Sequence, residues 1–74
     1  MVILKNIMKT RDSISADYYP EGKNKGGYMK LSLTDGEIIN HENADEFSAA
    51  HVLYELRRLA KMENPPAEKT VLWY

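Results

Sequence analysis

His41 and His51 are the first residues in this chain whose chemistry invites a question. Glu55 follows His51 by four residues, so on a helix the two share one side. With His41 they would supply two imidazoles and a carboxylate, the ligand set of some zinc and non-haem iron sites. The spacing matches no zinc signature. The chain has no cysteine, so any third strong ligand would have to be a carboxylate. Two histidines in 74 residues is ordinary usage, and the expectation is no metal and no cofactor. Ser48 lies three residues before His51 and would bring a hydroxyl near an imidazole. Nothing in the sequence suggests the oxyanion hole that such a pair would need. Asp35, Glu37, Glu42, Asp45 and Glu46 gather carboxylates around a turn and a helix start, where acidic residues suit the positive end of the helix dipole. A chain this short also struggles to enclose a substrate pocket. The reading is that the protein is not an enzyme.

Two further constellations concern binding. The stretch "EGKNKGG", 21–27, is glycine-rich and basic and could wrap a phosphate. It lacks the P-loop pattern and leads into a strand, so no helix dipole would face the anion. A hairpin loop is the simpler reading. Tyr18, Tyr19, Tyr28, Trp73 and Tyr74 place aromatics on strands, interleaved with Lys23, Lys25 and Lys30. Such mixtures form stacking platforms for single-stranded nucleic acid. The RNP-type consensus is absent and the net charge is −1, so nucleic acid is not the expected partner.

These residues must be positioned by a small set of elements. Val2 to Met8 reads as a short strand. From Asp12 to Tyr19, Ile14, Ala16 and Tyr18 alternate with Ser13, Ser15, Asp17 and Tyr19, and Pro20 ends the run. Tyr28 to Thr34 sends Met29, Leu31 and Leu33 to one face. Asp35-Gly36 then predicts a type I′ hairpin turn, and Glu37 to Glu42 is the return strand, carrying Ile38 and Ile39. Residues 12–42 thus read as a three-stranded antiparallel meander. Asn43 is a good N-cap with Glu46 three residues on, predicting a helix from about Ala44 to Met62. Asn64-Pro65-Pro66 stops it, and Thr70 to Tyr74 forms a last strand.

At about 100° per residue, Ala49, Val52, Leu53, Leu56, Leu59 and Ala60 form a stripe that must pack on the sheet. Phe47, Ala50, Tyr54, Arg57, Arg58 and Lys61 cluster opposite, with His51 at the edge. Two aromatics in line on an outward face suggest a contact surface, so Phe47, Ala50, His51, Tyr54 and Arg58 are the candidate interface. The fold expected is α+β: a meander of three to four antiparallel strands, one long helix on one face, and a C-terminal strand after it. That strand is expected to pair in parallel with an inner strand, because the helix supplies the crossover length.

Bulk properties agree with a binding role. Seventy-four residues make one domain, and so short a chain buries only about 60% of its unfolded surface. Without disulfides it is expected to lean on a second copy of itself. Charge runs +3 over residues 1–30, −6 over 31–56 and +2 over 57–74; the plain reading is an ordinary surface whose opposite charges lie near each other in space, and the alternative is a bipolar surface that docks on a copy of itself. The apolar start is too short for a signal-peptide core or a membrane span, so the expected setting is the cytoplasm, with no membrane partner.

The order of strand, "GGYMKLSL" strand, "GEIINHE" return strand, "EFSAAHVLYELRRLA" helix and proline-led last strand resembles HicB-type antitoxin domains. The resemblance spans about residues 14–70 as element order; Gly26, Gly27, Tyr28 and the helix alanines carry it residue by residue. Thr34-Asp35-Gly36 stands where that family usually has Pro-Asp-Leu. The resemblance implies a dimer that masks an RNA-cleaving partner. "PPAEKTVLWY" is similar to the endings of small uncharacterised Firmicutes proteins, which implies no function. Two readings follow: a non-enzymatic, homodimeric interaction module, or a toxin-neutralising or nucleic-acid-binding regulator.

Overall fold

Runs of β-formers separated by short turn segments fold, in the computed structural model, into four strands, one helix and a last strand. They are β1 (Val2–Lys9), β2 (Ser13–Pro20), β3 (Gly27–Ser32), β4 (Ile38–Glu42), α1 (Glu46–Leu59) and β5 (Lys69–Val71). The structure describes residues 1–20, 26–42 and 46–72, without the side chains of 46–48. The sheet order is β4-β3-β2-β1-β5, and every pairing is antiparallel. The α+β architecture with a strand after the helix is as expected, and β1 extends the meander to four strands.

The last strand corrects the expected parallel pairing. The helix does return the chain, so β5 runs in the same direction as β4 and β2. The inner strands are already paired on both sides. The free position is beside β1, which runs the opposite way, so Val2 faces Val71 and Leu4 faces Lys69 in an antiparallel ladder. β5 is also shorter than the expected Thr70 to Tyr74; Leu72 is exposed, and Trp73 and Tyr74 lie outside the described residues.

β1 hides its alternation behind a bulge. Lys5 faces Asp17 and Met8 faces Ser15, so β1 spends one residue more than β2 between these pairs. Asn6 takes the left-handed conformation, φ 54°, which asparagine tolerates better than most residues. Its side-chain amide donates to Asp17 Oδ2 at 2.8 Å. The extra residue reverses the phase: Val2 and Leu4 point inward before it, Ile7 after it. The Ile7 N–H donates to the Ala67 carbonyl at 2.9 Å, so the segment before β5 takes up a bulge donor.

The β3–β4 connection corrects the two-residue turn. Ser32 donates to the Glu37 carbonyl at 2.9 Å and Gly36 donates back to the Ser32 carbonyl at 2.9 Å, enclosing a wider loop. Gly36 alone in this loop has positive φ, at 74°. Asp35 keeps negative φ while its carboxylate accepts from the Glu37 N–H at 2.9 Å.

The helix covers one face of the sheet. Val52, Leu56 and Leu59 are buried against Val2, Leu4, Ile7, Ile14, Ala16, Tyr18, Met29 and Leu31. Leu33, Ala49, Leu53, Ala60 and Val71 pack around this core. The inward stripe is therefore as the spacing predicts. The helix is shorter than Ala44 to Met62: it ends at Leu59, before Pro65. Lys61 and Met62 donate to the carbonyls three residues back, at 3.2 and 3.0 Å, and tighten the chain out of the helix. Lys9 Nζ donates to the Met62 carbonyl at 2.7 Å. The proposed Asn43 cap lies outside the described residues.

Candidate protein-interaction surface

A single helix is about 10 Å across, and five strands at roughly 4.8 Å spacing span about twice that. Some of the sheet's inner face must stay uncovered. Here α1 packs on β1, β2, β3 and β5 and makes no contact with β4 among the described residues. Two bonds set this position. On one flank, Glu55 reaches Lys69 of β5; on the other, Arg57 Nε donates to the Gly36 carbonyl at 3.1 Å.

The uncovered strand carries adjacent isoleucines. Ile38 lies opposite Leu31 and Asn40 opposite Lys30, so Ile39 is the extra residue of a second bulge. Ile38 is 42% exposed and Ile39 57% exposed. β4 is an outermost strand and contains no lysine or proline, two residues that commonly deter pairing at sheet edges. The bulge at Ile39 bends the edge without covering it.

His41 fixes this strand to the core. Its Nε2 lies 2.7 Å from the hydroxyl of Tyr18, whose side chain is buried. The tyrosine ring crosses β3 at Gly27, where an added Cβ would lie 2.5 Å from Tyr18 Cζ. Gly26 is likewise pressed by Tyr19: a Cβ there would lie 2.6 Å from a ring carbon. The paired glycines of "GGY" thus make room for the paired tyrosines of the neighbouring strand. Tyr18 therefore leaves the expected aromatic platform and joins the core.

The helix-face candidates divide. Tyr54 is 74% exposed and Ala50 is exposed, in line with an outward surface. His51 is half-buried and has a partner. Arg58 turns sideways to Glu55: its terminal nitrogen lies 2.6 Å from Oε1, and its Nε lies 3.2 Å from both carboxylate oxygens. The side chain of Phe47 is outside the described residues.

Glu55 is no partner for the histidines. It is buried between Arg58 and Lys69, whose Nζ lies 2.6 Å from Oε1. The Arg58 hydrogen bond does most to hold this carboxyl below its ordinary range, with Lys69 adding to it against the opposing effect of burial. Reciprocally, the carboxylate raises the Arg58 pKa. Among the described residues no three histidine, aspartate or glutamate side chains converge as a metal site.

The opposite sheet face carries Tyr19, Tyr28, Lys5 and Lys30. Lys5 Nζ lies 5.6 Å from the centre of the Tyr19 ring. Asp17 and Glu42 border the same hollow as both tyrosines, which leaves that face mixed in charge. No helix among the described residues is long and apolar enough to cross a membrane. No family model matches the chain, nor does any curated protein or solved structure.

Sequence reasoning placed the candidate surface on the helix and passed over Ile38 and Ile39. No local signal marked them: the bulge at Ile39 breaks the alternation, and their exposure follows from a helix that stops short of β4.

Proposed function

We propose that this protein is a non-enzymatic interaction module that associates with a second copy of itself across β4. The observation that carries the reading is the pair of exposed isoleucines on an edge strand that the helix does not reach. Burying them on a partner removes apolar surface from water and covers an edge left open to strand pairing. The small size of the chain gives such association a large share of its stability.

Light scattering coupled to size-exclusion chromatography tests this. The expected mass is twice that of the 8.5 kDa chain. Ile38→Lys with Ile39→Lys should return it to the monomer with an unchanged circular dichroism spectrum. A monomeric wild type refutes self-association; a dimer that survives the double change, but not Tyr54→Asp, moves the contact to the helix.

A second reading rests on the Tyr19 and Tyr28 face with Lys5 and Lys30: a toxin-neutralising or nucleic-acid-binding regulator of the HicB-like kind. Titration with random single-stranded RNA at two salt concentrations tests its nucleic-acid arm. Salt-dependent binding weakened by Tyr19→Ala and Tyr28→Ala supports it, and no binding removes that arm.

A further inference from the structure

Between the β3–β4 loop and the C-terminal half of α1 lies an open cleft of about 670 Å³. That volume is in the range of small-molecule sites, roughly 300–1,000 Å³. Leu33 and Ala60 line it with half-buried apolar surface over the buried Leu31, and Lys9, Arg57 and Lys61 bring three cations to it. Two of the cations are held in place by the main chain. Arg57 Nε is anchored on the Gly36 carbonyl and Lys9 Nζ on the Met62 carbonyl. Neither anchor neutralises a charge, and each leaves donors free, since a guanidinium has five N–H groups and an ammonium three. Lys61 lies just past the helix end, in the tightened turn after Leu59, and lines the cleft together with Arg57.

The acidic residues beside the cleft do not cancel this arrangement. The Asp35 carboxylate is folded back onto the Glu37 N–H of its own loop. Glu37 is exposed and lines the cleft from the loop. The cleft thus sets three cations against two carboxylates, Asp35 and Glu37, above an apolar base.

We infer that this cleft binds a small amphipathic anion, with a carboxylate on Arg57 and Lys61 and an apolar body on Leu33 and Ala60. A ligand with several phosphates fits less well, because Asp35 and Glu37 would oppose the added charge and the exposed part of Leu33 would be left without a partner. A fork of N–H donors held at a fixed angle suits a carboxylate. The cleft adjoins the β4 edge, and its test reads ligand binding rather than mass, so either proposal can fail without the other.

The test is a titration of the isotope-labelled protein with 4-phenylbutyrate, followed by amide chemical shifts, with 4-phenylbutyramide as the neutral control. Saturable shifts are expected at Leu33, Gly36, Ala60 and Lys61. The amide should bind at least about tenfold more weakly, as should the acid to the variant carrying Arg57→Gln and Lys61→Gln. Lys61→Gln alone, on an exposed side chain with no bond among the described residues, should still weaken binding severalfold in a fully folded protein. Glu37→Gln should tighten it. The inference is overturned if no saturable shifts appear, if the amide binds as well as the acid, or if Lys61→Gln leaves binding unchanged.

Discussion

Replacing Glu55 by glutamine keeps the size of the side chain and removes its charge. In the native protein that charge is buried and meets two cations, Arg58 through two nitrogens and Lys69 through one. Breaking a fully buried ion pair costs about 3–5 kcal/mol, because the surviving partner is left charged and dry. That upper figure does not apply here. The Arg58 side chain is 49% exposed and that of Lys69 33% exposed, so both cations return to water when released. Glutamine still offers one acceptor. The expected loss at neutral pH is about 1–2 kcal/mol, near the net value of hydrogen bonds to charged groups. For a domain of this size that is a fall in Tm of roughly 5–15 °C. The pH dependence is the sharper test. The folded carboxyl titrates below its ordinary value of 4.5, so the folded state holds the ionised form more tightly than the unfolded state does. The stabilisation is fully present above that ordinary value and is lost as pH falls through the lower, folded one. Urea unfolding of both proteins from pH 7 to pH 3 should give a difference that is constant near neutrality and shrinks in acid. A gap that persists unchanged at pH 3, or that is absent at pH 7, would refute this account of the triad.

Gly27→Ala places a methyl group against the Tyr18 ring and should cost about 1–3 kcal/mol, read as a lower urea midpoint at unchanged slope. The hydrogen bond between Tyr18 and His41 should loosen with it, seen as faster amide exchange along β4. Asn6→Gly should retain most of the stability, whereas Asn6→Val should lose about 1–2 kcal/mol, because a β-branched residue resists left-handed backbone. Equal effects of these two changes would show that the bulge conformation is not what Asn6 supplies.

The parts of the fold that depend on local pattern were legible. Ile14, Ala16 and Tyr18 alternate because β2 is paired on both sides and covered on one face. Val52, Leu56 and Leu59 repeat with the helical period because one stripe of α1 meets the sheet. The parts that depend on a neighbour far along the chain were not. The direction of β5 follows from which edge is vacant, and no residue of 69–71 encodes that. The Asp35-Gly36 pair reads as a tight turn, but the pairing of Ser32 with Glu37 fixes a longer loop around it. In β1 the bulge breaks the alternation that would have marked the strand, although Val2 and Leu4 against Ile7 is the trace of a phase change. Half of the Glu55 ion-pair set was legible, since Arg58 follows it at helical spacing; the other half, Lys69, lies fourteen positions away, beyond any helical spacing. The exposed isoleucines follow from the width of one helix against five strands, a quantity that no window of sequence contains.

The pairing of Val2 with Val71 also shapes the order of folding. The β1–β2–β3–β4 meander is built from neighbours and can close early, while β5 must wait for nearly the whole chain. Its three residues are joined to the rest by a short ladder and by the Lys69 ion pair to Glu55. Such an element is the natural first to detach when the native protein fluctuates. Each detachment bares the outer edge of β1, so this protein has a transient edge besides the permanent ones at β4 and β5. The amides of β1 facing β5 should therefore exchange with solvent sooner than those facing β2.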